Sequence, residues 1–141
     1  MRKLFLPLIF LIILGACAQK PTKYQMGQAN YGEVPKNYVS LITHKLEDMH
    51  TGSQPIKVEV PRPYAAVRYL GMKHGGKYEY GNVVHAWVVT QDAQGHYTRK
   101  SPKIFWWSDT GWSTMLPSLE GITPKYPEQA EEYTGLHYTR Y

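Results

Sequence analysis

The chain reads as an α+β protein: one N-terminal helix packed on an antiparallel meander of about four or five strands. Three observations predict this. Tyr38, Leu41, Ile42, Leu46 and Met49 recur at helical spacing. Ile56, Val58 and Val60 alternate with Lys57 and Glu59, the period-two pattern of a strand with one wet face. Val83 to Val89 is apolar on both faces, as a covered central strand requires.

The elements follow in order. Glu33-Val34-Pro35 opens the helix, because proline in the first turn gives up an N–H that would be unpaired there anyway. The helix ends near His50, and Thr51-Gly52-Ser53 turns the chain. The first strand covers Ile56 to Val60 and is broken or edged by Pro61 and Pro63. Tyr64 to Met72 resumes extended character, and His74-Gly75-Gly76-Lys77 turns it back, since paired glycines accept positive φ without steric cost. The second arm runs from Tyr78 to Gln91. Asp92-Ala93-Gln94-Gly95 turns again into a strand over Tyr97 to Ser108, and Asp109-Thr110-Gly111 leads to Trp112 to Leu116. Prolines at 117, 124 and 127 argue against regular structure beyond, except for a short helix over Glu128 to Tyr133.

The residues before the helix carry an address. Met1-Arg2-Lys3 is a short positive stretch, and Leu4 to Leu14 is almost wholly apolar, interrupted only by Pro7. That is the layout of a signal peptide. A membrane-spanning helix needs roughly 20 apolar residues, about twice this run. Leu14-Gly15-Ala16-Cys17 closes it with the only cysteine of the 141 residues. Small residues before a lone cysteine form the lipid-attachment box of a bacterial lipoprotein, so residues 1–16 are expected to leave and Cys17 to become an acylated first residue. An ordinary secreted protein with an unpaired thiol is the alternative; an odd cysteine in an oxidising compartment otherwise needs a partner. Ala18 and Gln19 follow, with no aspartate of the inner-membrane retention type. The expected residence is therefore the bacterial outer membrane, with the domain facing the periplasm. Residues 17–32 mix Gln, Lys, Pro, Thr, Gly and Asn without periodicity and are expected to be a flexible tether. Residues 33–141 make one globular domain with an irregular C-terminal tail.

Composition narrows the function. Loss of Arg2 and Lys3 takes the formal net charge from +5 to +3, and no basic block downstream exceeds Arg99-Lys100. Nucleic acid, which needs an electrostatic stripe, is a poor partner. An acylated Cys17 leaves no thiol for a disulfide, so packing has to stabilise the domain.

Tyr80-Gly81-Asn82-Val83-Val84, Trp87-Val88, Gly95-His96-Tyr97-Thr98 and Ile104-Phe105, with Pro35-Lys36-Asn37-Tyr38 at the helix start, together resemble a set of small bacterial lipoproteins of unknown function. The similarity spans roughly residues 31 to 108. It departs where Thr51-Gly52-Ser53-Gln54-Pro55 stands in place of an acidic turn. The resemblance implies a small α+β lipoprotein and carries no catalytic residue with it.

No catalytic residue and no cofactor is assigned. Ser108, Ser113 and Ser118 lie near turns but not in a Gly-x-Ser-x-Gly elbow. Glu79, Asp92, Asp109 and Glu120 supply carboxylates for a polymer-cleaving envelope enzyme, the first alternative, yet turn aspartates usually accept bonds from backbone amides. His74, His85 and His96 recur every eleven residues and define a second alternative, a periplasmic metal-binding protein. Extended strand places neighbours in that series more than roughly 30 Å apart, so a shared site needs a sharp bend, and no metal ligand is assigned. The candidate binding residues are Trp106, Trp107, Trp112 and Tyr97. Neighbours on a strand point to opposite faces, so Trp106 and Trp107 cannot share a one-sided core. Either one of them faces a partner, protein or glycan, or the segment from Pro117 folds back over it. The function expected is therefore lipid-anchored, non-catalytic binding or assembly in the cell envelope, with the membrane as a partner through the N-terminal lipid.

Overall fold

A computed structural model of the chain describes residues 19–50, 56–99 and 102–134. Cys17, the apolar leader and the 51–55 turn lie outside them. The protein is α+β, as the periodicity predicts. All strand pairings are antiparallel, but the described residues form seven strands rather than four or five. In order these are β1 (Ile56–Glu59), β2 (Tyr64–Tyr69), β3 (Tyr78–Gln91), β4 (Tyr97–Arg99), β5 (Lys103–Ser108), β6 (Ser113–Leu116) and β7 (Ile122–Pro124). The described residues also form three helices rather than one at the N-terminus: α1 (Lys23–Gln28), α2 (Tyr38–Met49), which is the expected helix but second in order, and α3 (Pro127–Thr134).

The extra strands arise because both neighbours of β3 are broken. Along one edge β3 pairs first with β2 and then with β1; along the other it pairs with β5 and then with β4. Four residues separate Glu59 from Tyr64, opposite three residues of β3, so the edge carries one residue too many. Pro61 and Pro63 fill that excess and offer no N–H to a ladder. The other edge repeats the excess between Arg99 and Lys103, where Pro102 sits. The expected single strand from Tyr97 to Ser108 is therefore two. β6 continues the sheet beyond β5, and β7 beyond β2. The tail expected to be irregular thus adds a strand that ends on Pro124, at a sheet edge where a missing donor costs nothing.

The even-numbered residues of β3 point to one face. Val84, Ala86 and Val88 pack with Ile42 and Leu46 of α2 and with Phe105 and Trp107. The helix is laid down as its spacing predicts, although its first turn starts three residues after Pro35, whose carbonyl accepts the Tyr38 N–H at 2.9 Å. The odd-numbered face holds Val83, Tyr64, Ala66, Ile104, Trp106 and Leu116, covered by Ala130, Leu119 and Tyr133 of the C-terminal segment. The sheet is thus buried on both sides.

The stretch expected to be a tether is partly built into the fold. Thr22 and Gln25 form a reciprocal capping box at the start of α1. Met26 and Tyr31 are buried against Val67. The Tyr31 hydroxyl donates to the Met26 carbonyl at 2.7 Å, and burial, with Tyr80 and Tyr126 nearby, raises its pKa to about 12. Asn82 Nδ2 donates to the carbonyls of Tyr31 and Gly32 at 2.9 and 3.2 Å. Residues with no sustained periodicity gave no sign of this, because a six-residue helix shows too few turns to read.

Gly81 is where the backbone of β3 meets the tryptophans. A Cβ there would strike the carbonyl of Trp107 and stand 2.7 Å from Cζ2 of Trp106. Gly81→Ala is therefore expected to destabilise the domain by about 2–3 kcal/mol through overpacking, read from urea unfolding of the purified protein. A loss below about 0.5 kcal/mol would mean that the strand accommodates the methyl by shifting.

Candidate functional site

The structure divides the four residues singled out as a binding surface. Trp106 and Trp107 are buried, Trp107 beneath α2 and Trp106 beneath the segment that follows Pro117. Of the two alternatives for this strand, the covering tail is the one the structure adopts. Trp112 is 62% exposed and Tyr97 is 70% exposed. They do not meet: Trp112 follows the turn paired with Gly81, whereas Tyr97 pairs with Gln91, ten residues along β3 and about 33 Å away. The aromatic surface read from the sequence is thus two core residues and two separate exposed ones.

The residues weighed for catalysis are held in structural roles. Ser108 is buried, its hydroxyl 2.8 Å from that of Thr110, and it accepts the Trp112 N–H. Ser118 accepts the Glu120 N–H at 3.3 Å. Glu79 lies 3.8 Å from Arg68. Asp92 accepts from the amides of His96 and Gln94, and these bonds, that of His96 foremost, hold its carboxyl below the usual range. The histidines are dispersed as well. His74 sits in an exposed 3-10 turn, His96 is exposed beside Asp92 at 3.1 Å, and His85 is at the centre of the sheet. Among the described residues no group of three or more His, Cys, Asp or Glu could hold a metal ion.

The concavity lies elsewhere, at the level where the neighbours of β3 break. A groove of about 380 Å³ is lined by Glu59, Val60, Pro61, Trp87, Arg99, Glu132, Tyr133 and Thr134. Its floor follows from register. Glu59 stands directly across from Trp87, and Arg99 pairs with Val89, so all three side chains leave the odd-numbered face of the sheet. Arg99 reaches back over the Trp87 ring, its guanidinium carbon 5.6 Å from the centroid. Its Nε and Nη2 both engage Glu59 Oε2, at 2.8 and 2.6 Å. The last turn of α3 brings Glu132 and Tyr133 to the opposite wall, and that turn holds no basic residue. The result is a partly open cleft with an aromatic floor, a cation laid across it and carboxylates on two sides.

Such a site can stack, donate paired hydrogen bonds through the guanidinium and accept them through Glu132. Glu59 is already committed to Arg99 and is not a free general base. Sequence reasoning placed Trp87 inside the apolar run and took Glu59 and Arg99 as solvated strand residues. The signal that joins them is strand register, which alternation alone does not reveal.

No family model matches the chain, and no curated protein or solved structure matches it. The cleft has to be read on its own chemistry.

Beneath that cleft, two residues along β3 from Trp87, His85 is fully buried and shares a 2.8 Å hydrogen bond between its Nε2 and the Tyr64 hydroxyl. Burial lowers its pKa to about 4, so the imidazole is neutral in the native protein. The unfolded chain takes up a proton near pH 6.5 and the folded one does not, so this histidine withdraws stability as pH falls from about 6.5 to 4. The amount approaches about 3 kcal/mol. His85→Gln is expected to lose this dependence. Urea unfolding at pH 7 and pH 4.5 should show a drop about 2–3 kcal/mol larger in the native chain than in the variant. Equal drops would show that His85 protonates in place.

Proposed function

We propose that this protein is a lipid-anchored component of the bacterial cell envelope, held in the outer membrane by an acylated Cys17 and facing the periplasm. Its role is to bind or assemble with another envelope component rather than to catalyse a reaction. Support for the address comes from the Met1 to Cys17 segment, whose charge, apolar length and small residues suit export and lipidation. Among the described residues no helix is long and apolar enough to cross a membrane. The binding reading is carried by one observation, the Trp87, Arg99 and Glu59 cluster on the floor of the cleft. An Arg–Glu pair at a partly exposed site contributes no more than about 1 kcal/mol to stability. Aromatic and arginine side chains together in a recess are, in contrast, what dominates binding energy at interfaces. The likeness to small bacterial lipoproteins favours the lipid-anchored address.

A photo-crosslinking residue in place of Tyr133 is expected to capture a specific partner in intact cells. Arg99→Ala should abolish that adduct while changing unfolding free energy by less than about 1 kcal/mol. The same crosslinker in place of Trp112 should give none. An adduct from position 112 and silence at position 133 would move the binding surface away from the cleft.

The anchor has its own test. Metabolic labelling with an alkyne fatty acid should mark the wild-type chain and leave Cys17→Ser unmarked; equal labelling of both chains would defeat the assignment.

A further inference from the structure

The position of α1 changes what a lipid at Cys17 would do. Because the fold takes hold of the chain at Lys23, only five residues lie between Cys17 and the domain, a span of at most about 20 Å when fully extended. The domain is moored close to the bilayer, and the end that carries α1 is the end that meets it.

That end has a distinctive surface. Met26 of α1 packs into the cluster containing Tyr78 and Tyr80, at the base of the β2–β3 hairpin, so helix and hairpin tip lie side by side. Tyr24 projects from α1 with 77% of its surface exposed, and Met72 projects from the hairpin with 79% exposed. Lys20, Lys23, Lys73 and Lys77 belong to the same two segments, all exposed. Neither residues 19–32 nor residues 70–78 contain an aspartate or glutamate. The flanking carboxylates are Glu79, paired with Arg68; Glu120, beside Tyr69 through the turn whose Gly121 carbonyl accepts the Tyr69 N–H; and the exposed Glu33 and Asp109, which border Gly32 and the Tyr80 carbonyl. Four lysines with two projecting apolar side chains therefore face the side from which the anchored terminus leaves.

We propose that this end of the domain docks on the anionic headgroup surface of the membrane that holds the lipid. The inference rests on the anchor reading above and adds an orientation to it. Lysines at an anionic surface each strengthen attachment about fivefold, and the tether keeps them within a Debye length of it, about 8 Å at physiological salt. Tyr24 and Met72 would enter the interfacial layer, where a phenol ring and a thioether are both accommodated. The cleft then points away. Trp87 lies nine residues along β3 from Tyr78, about 30 Å from the docked end.

The test uses the full-length protein purified from membranes. Intact mass fixes whether Cys17 is acylated. The protein is then reconstituted into vesicles of phosphatidylethanolamine and phosphatidylglycerol, and into neutral detergent micelles, and its lysines are acetylated with a water-soluble reagent. Lys23, Lys73 and Lys77 should react at least about fivefold more slowly in vesicles. Lys57, at the far end of the sheet, should react equally in both. The double change Lys73→Glu and Lys77→Glu on the exposed hairpin should remove the protection of Lys23. An unacylated Cys17 would overturn the anchor and the docking together. An acylated chain whose lysines react alike in vesicles and micelles would overturn the docking alone.

Discussion

Everything in this fold hangs on β3. Its fourteen residues pair with four other strands, and its central valines and alanine are buried on both faces. A strand covered on one face can alternate apolar and polar residues; one covered on both cannot, and the run from Val83 to Val89 is the consequence. His85 is the exception that the burial tolerates, because Tyr64 shares a hydrogen bond with its Nε2 and the ring remains neutral. The two helical layers exist to cover what β3 and its neighbours leave apolar: α2 on the even face, and α3 with the segment before it on the odd face.

The same strand explains why the tryptophans are core and the cleft is not where they are. Trp106 and Trp107 pair with Val83 and Asn82, level with the part of β3 that has close-packed neighbours on both edges. Burial of both rings removes a large apolar area from water and contributes more than any exposed contact nearby. Further along β3 the edges fall out of step with it by one residue each. A ladder that has slipped by one cannot close over the strand beneath, so a recess forms over Trp87. The prolines at 61, 63 and 102 hold both slips in place, because none of them has an N–H to give back to the sheet.

Much of this was legible in the residues. The helix from Tyr38 to Met49, the hairpin between Tyr69 and Tyr78, the full extent of β3 and the short helix at residues 127–134 follow from periodicity and turn chemistry. What was not legible depends on distance in the chain. The break at Pro61 looks like a strand end, and Pro102 looks like the interior of a single strand, until β3 is seen to run past both. α1 is too short to show a period, and the segment that follows it is held by Asn82, some fifty residues away. The cleft is less visible still. Glu59, Trp87, Arg99 and Tyr133 come from four elements, and only the register of three strands and the return of α3 bring them together. Aromatic residues alone do not separate surface from core, because adjacent tryptophans signal a thick, two-faced core as readily as a surface.

Charge is distributed along β3 in a way that residue counts conceal. Around the Tyr78 end, α1 and the hairpin carry lysines and no carboxylate, while the last turn of α3 places Glu132 at a cleft that already contains Glu59. A formal net charge of +5 over the whole chain averages these poles into something unremarkable. Folding separates them by about 30 Å along β3, from Tyr78 to Trp87. A weakly basic molecule of this kind behaves as a dipole near a charged surface, and its orientation is set before any contact forms. The acidic pole that borders the cleft would be repelled by the same headgroups that attract the lysines. With the proposed anchor at Cys17, tether length and charge polarity would act in the same sense: each would keep the hairpin end down and the Trp87 cleft open to whatever approaches from the other side.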